Sequence, residues 1–202
     1  MIAKRALLGT TLIAGGFMLS GANAATISCP ASIEGNVTNT AACEYSDTAN
    51  QDFLNTDPIT VNQEAFFGFT DWEYADKADI NDGISYDTAH DIGFTITGDA
   101  QSGSWAIDGT AWNDWDDIMM VFKDGANTTL VGYLLAESAT GGTWSSPFED
   151  DPFGVGNTRD VSHISAYVRG DGGVTVPEPG PLALMIGGLV GLGMTRRIRS
   201  RS

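Results

Sequence analysis

Along the chain, apolar positions recur with the period of strands rather than helices. Ile92, Phe94 and Ile96 alternate with Gly93, Thr95 and Thr97, the two-residue period of a strand with one buried face. The period returns where Ser162, Ile164, Ala166 and Val168 alternate with Val161, His163, Ser165, Tyr167 and Arg169, which predicts one apolar face and one mixed face. Residues 118–122 and 130–135 are instead uninterrupted apolar runs, the pattern of central strands buried on both sides. Asp124-Gly125 lies between these runs and predicts that a hairpin joins them, and Asp108-Gly109 separates Trp105 and Ile107 from Trp112 in the same way. Further strands are predicted at 26–29, 65–69, 104–107 and 143–145. No 12-residue stretch of helical period and no internal repeat interrupts this order. Seven or eight short strands separated by Gly, Asp and Asn turns predict an all-β fold, an antiparallel β-sandwich or jelly roll.

The two ends follow different rules. Lys4 and Arg5 precede a mostly apolar stretch at 6–19, and Ala22 and Ala24 flank Asn23 as small residues at a cleavage position. This is the pattern of a secretory signal at 1–24, with Ala25 as the first mature residue and signal peptidase as the processing enzyme. An uncleaved anchor is the competing reading, and both export the chain. The chain has only two cysteines, Cys29 and Cys43. In an exported protein such an even pair reads as a disulfide, and closing a loop of about 15 residues stabilises a fold by roughly 3 kcal/mol in the chain-entropy view.

Charge sharpens this division. The whole chain carries 26 acidic and 10 basic residues, a net charge of −16. Six of the basic residues lie at the ends, so residues 25–176 hold 25 acidic residues against Lys77, Lys123, Arg159 and Arg169, a net of −21. Nucleic acid is excluded as a partner, because binding a phosphate backbone needs clustered Lys and Arg.

At the carboxyl end, Pro177-Glu178-Pro179 is followed by an apolar run at 181–194 and then by Arg196, Arg197, Arg199 and Arg201. The Arg cluster stays on the cytoplasmic side of a membrane, so everything before the run faces outward. Fourteen residues span only about 21 Å as a helix, short of a hydrocarbon core of about 30 Å, which suits a temporary anchor. The three parts in this order resemble the PEP-CTERM sorting signal of Gram-negative bacteria. Three further phrases, 67–74 with Lys77, 118–125 and 161–167, resemble the ectodomains of PEP-CTERM proteins that have no assigned activity. The resemblance implies an inner-membrane-anchored precursor, removal of the tail near Pro177 to Pro179 by an exosortase, and sorting to the cell envelope or extracellular matrix alongside exopolysaccharide. The chain then divides into a signal peptide (1–24), an ectodomain (25–173), a linker with the Pro-Glu-Pro motif (174–180), a transmembrane sorting helix (181–195) and a basic cytoplasmic tail (196–202). A simple membrane-anchored protein is the alternative.

Candidate chemistry is sparse. Phosphate-loop, dinucleotide and Gly-x-Ser-x-Gly motifs are absent from the sequence, and no cofactor is predicted. His163 falls on the mixed face of its strand beside Tyr167 and Arg169, where a pairing role is expected. The acidic clusters are Asp114, Asp116 and Asp117; Asp79, Asn81 and Asp82; and Glu149, Asp150 and Asp151. Such oxygen-rich runs suit Ca²⁺, although none has the spacing of an EF-hand loop. Trp112, Asp114, Trp115 and Asp116 combine indole faces with carboxylates, a composition that fits a saccharide platform. The reading is a noncatalytic structural or exopolysaccharide-associated protein. The alternatives are a lectin-like module and, behind it, a glycoside hydrolase or lyase.

Overall fold

In the computed structural model, which describes residues 26–52, 54–80, 83–125 and 129–170, the apolar run at 118–122 becomes β7 (Asp117–Asp124). It is the middle strand of a seven-stranded sheet with the order β1 (Ile27–Ser28), β2 (Thr40–Tyr45), β8 (Val131–Leu135), β7, β10 (Val161–Arg169), β3 (Glu73–Asp79) and β4 (Ser85–Thr88). A second, three-stranded sheet has the order β5 (Thr95–Gly98), β6 (Ser102–Ala106) and β9 (Gly141–Ser145). Every pairing between these strands is antiparallel. The helices among the described residues are single turns of three or four residues, so the architecture is all-β and sandwich-like.

The uninterrupted run of β7 is explained by its two covers. Ile118, Met120 and Phe122 enter the core between the sheets, where they meet Ile96, Trp105 and Trp144 of the smaller sheet. Met119 and Val121 point the other way, into a second cluster formed with Val61, Phe66 and Trp72. The hairpin predicted at Asp124-Gly125 is present as the β7–β8 pair. The sheets are also tied along one edge. The Tyr86 hydroxyl of β4 accepts from the Ile96 amide of β5 at 2.9 Å and donates to its carbonyl at 3.2 Å, satisfying an edge backbone that would otherwise invite another strand.

Several predicted elements change on folding. Ile92, Phe94 and Ile96 are all buried as their alternation requires, yet strand pairing begins only at Thr95. Gly93 takes φ +65° there, and its backbone lies so close to Asp108 that an added Cβ would sit 2.9 Å from the Asp108 Cβ. Residues 65–69 are not a strand. Ala65 and Phe67 adopt left-handed φ values of 54° and 57° around a single 3₁₀ turn, because this apolar run covers a sheet face instead of extending an edge. Strands β2, β3 and β4 are not among those predicted: β4 is exposed at all four positions, and the buried positions of β3 are Ala75, Asp76 and Ala78, a weak apolar signal. The Asp108-Gly109 turn leads into a helical turn at Ala111–Asp114, not into a hairpin.

Cys29 and Cys43 are bonded, with their Cα atoms 5.3 Å apart, which fastens the chain after the edge strand β1 to its neighbour β2. The signal residues Ala22 and Ala24, the motif Pro177, Glu178 and Pro179, the apolar segment and Arg196, Arg197, Arg199 and Arg201 all lie outside the described residues, as do Asn81 and Asp82. Among the described residues no helix is long and apolar enough to cross a membrane.

Candidate functional site

The mixed face of β10 is where the polar chemistry collects. β10 enters between β7 and β3, and its register slips between Val161 and His163. Such a bulge re-aims a side chain. Here it brings the Ser162 hydroxyl to 3.1 Å from Nδ1 of its neighbour His163. The other ring nitrogen, Nε2, lies 2.9 Å from Oδ1 of Asp52, a residue from the segment that crosses this face. The second Asp52 oxygen accepts from the Ser165 hydroxyl at 2.5 Å. Burial pushes the Asp52 carboxyl up, but the His163 hydrogen bond and charge, with the Ser165 hydroxyl, outweigh it and hold the group below its usual range.

This chain has the order of an acid, a base and a hydroxyl, yet both Asp52 oxygens are occupied and the carboxylate is only 7 % exposed. Its physical effect is to clamp the covering segment onto the sheet. The clamp sits where β7, β10 and β3 lie side by side. Nothing in the local sequence of Asp52 marked it, because the partner is 111 residues away.

Removing the carboxylate tests the clamp. Asp52→Ala is expected to destabilise the domain by about 1–3 kcal/mol near neutral pH, the cost of leaving buried partners unsatisfied. A carboxyl lowered by folding contributes stability that is present above its unfolded value and lost as pH falls through its folded value. Asp76 is shifted the opposite way by its own burial, so the informative quantity is the difference between parent and Asp52→Asn, which subtracts it. That difference, from urea melts, should shrink progressively below about pH 4, the usual value of an unfolded Asp.

At the far end of β10, Arg169 is held by three groups. Its guanidinium lies 3.7 Å from the centre of the Phe69 ring, bonds Asp71 at 3.0 Å and contacts Asp117. The last described strand therefore ends in a fixed anchor beside the point where residues 171–202 continue.

The predicted saccharide platform is divided by the fold. Trp112 and Trp115 are half-buried against the core. The Trp112 indole donates to the Ala139 carbonyl at 2.8 Å, and Trp115 meets the His90 ring edge-on with centroids 5.2 Å apart. Asp114 and Asp116 are exposed, while Asp117 is engaged by Arg169. No group of three or more His, Cys, Asp or Glu side chains capable of holding a metal occurs among the described residues. Asp79 pairs with Lys77 of the same strand at 3.2 Å, Glu149 accepts from the distant Asn36 and Asp150 accepts from the Gly156 amide within its own turn. Protein-family models, curated proteins and solved structures were each compared with the chain, and none matches it.

Proposed function

We propose that this chain is an exported envelope or matrix protein whose folded domain is a noncatalytic, exopolysaccharide-associated element. In this reading the signal at 1–24 exports it, the segment 181–195 and the Arg cluster hold a precursor in the inner membrane, and an exosortase removes the tail near Pro177 to Pro179. The observation that carries the reading is the Cys29–Cys43 disulfide, formed just after the predicted mature start. A bonded pair with no free cysteine is what an oxidising compartment produces. The net charge of −21 over residues 25–176 adds support, since it keeps an exported domain soluble among neutral glycans.

Intact mass measurement of the envelope-associated protein tests the sorting. The expected product begins at Ala25 and ends between Pro177 and Pro179; recovery of Arg201 in that product overturns the sorting reading. A lectin-like role is the second reading, favoured by the exposure of Asp114 and Asp116 beside the half-buried Trp112 and Trp115.

A further inference from the structure

On the same covering segment as the clamp and apart from both tryptophans, the stretch after β2 and the helical turn at Thr60–Gln63 border an open pocket of about 230 Å³. It is lined by Thr48, Ala49, Asn50, Gln51, Thr60, Gln63 and Glu64, whose polar groups share the wall with their own methyl and methylene groups. Glu64 is 7 % exposed and held by hydroxyls alone. Ser46 donates to it at 2.6 Å and Thr48 at 3.1 Å. The four basic residues of the exported domain are engaged elsewhere: Lys77 with Asp79, Lys123 and Arg159 with Asp124, and Arg169 with Asp71 and Asp117. No described cation lies within ion-pair distance of the Glu64 carboxylate, and a carboxylate has about four acceptor sites to fill.

The frame around this group is rigid. The Ser46 hydroxyl accepts from the Thr48 and Ala49 amides at 3.2 and 2.8 Å. The Ser46 amide donates to the Leu130 carbonyl and the Leu130 amide to the Ala49 carbonyl, at 3.0 and 3.1 Å, which pins the segment to the start of β8. Gln63 is oriented by donating to the Pro58 carbonyl at 2.5 Å. Preorganised polar groups of this kind bind without a large ordering cost.

We infer that this pocket is a subsite for one neutral sugar residue of a matrix glycan, with Glu64 accepting from a sugar hydroxyl. This deepens, and rests on, the exopolysaccharide-associated reading. The chemistry selects the ligand class. Each sugar hydroxyl both donates and accepts, as do the carboxamides of Asn50, Gln51 and Gln63. The Glu64 charge repels an anion, and one carboxylate is too few for the oxygen shell of Ca²⁺. The volume falls below the roughly 300–1,000 Å³ of sites for drug-sized ligands and suits a single ring.

The test is titration of the isotope-labelled full chain, in zwitterionic sugar-free micelles, with glucose, galactose, mannose and their short oligomers, followed by amide NMR. The expected result is saturable shifts confined to residues 48–51 and 60–64, with affinity weakened about tenfold or more in Gln63→Ala and Asn50→Ala, whose side chains lie at the surface. Glu64→Gln, which keeps an acceptor oxygen, is expected to weaken binding similarly. Absence of saturable binding, shifts centred on Trp112 and Trp115, binding that requires Ca²⁺, or variants that bind like the parent would each overturn the subsite. Cleavage at 177–179 without sugar binding defeats the subsite alone, and sugar binding in a chain that keeps Arg201 defeats the sorting reading alone.

Discussion

Asp124→Ala is expected to lower the unfolding free energy by about 3–5 kcal/mol, the usual cost of leaving one member of a buried ion pair alone. Lys123 is 1 % exposed, and its ammonium bonds the Asp124 carboxylate at 3.0 Å and the Asp124 carbonyl at 2.8 Å. The same carboxylate receives Arg159 at 3.3 Å, and Arg159 is 44 % exposed. Truncating Asp124 thus leaves Arg159 able to turn to water, whereas Lys123 keeps one carbonyl and no counter-charge. Urea melts should show the midpoint falling at nearly constant slope. The double variant Lys123→Met/Asp124→Ala should recover most of the loss, because it removes the stranded charge and keeps the packing volume. A single variant within about 1 kcal/mol of the parent, the range of exposed pairs, would show that the pair is solvated.

Phe122→Ala should cost a comparable amount, about 3–5 kcal/mol, because its site has little freedom to collapse. The Phe122 ring stands between the two sheets, edge-on to Tyr133 of β8 at 5.4 Å and tilted against Trp144 of β9 at 5.9 Å. Tyr133 cannot swing into the gap without breaking its 2.7 Å hydrogen bond to the Ile33 carbonyl. Trp144 is held by backbone pairing to Gly103 on one side and a bridge to Val37 on the other. Phe122→Leu should cost markedly less in the same thermal or urea melts, since it leaves a smaller void. Equal losses for the two variants would show that the aromatic pairs, and not the cavity, dominate.

These two residues also show where sequence reasoning succeeds and stops. The run at 118–122 announced a strand covered on both sides, and β7 is that strand. What covers its second face was not legible, because Phe66 and Phe67 look like part of a strand when read by spacing alone. Gly132 records the real arrangement: a Cβ there would meet the Phe66 ring at 2.7 Å, so the lone glycine of the β8 run makes room for a side chain 66 residues away in sequence. Asp52 and Glu64 were equally silent. Their neighbours carry no period, and each becomes informative only through partners on other elements.

By itself the sequence determined the all-β class, the central strands, the disulfide pair and the division into an acidic middle flanked by basic-edged ends. Those features follow from local periodicity, cysteine count and charge, all of which act over short stretches of chain. Only the tertiary structure decided that the last strand enters the middle of the larger sheet, that Asp52 clamps His163 and Ser165, and that a polar pocket forms around Glu64 while the two tryptophans turn partly inward. Long-range antiparallel pairing sets these contacts, and alternation along one strand reports which face is buried without saying which distant segment buries it.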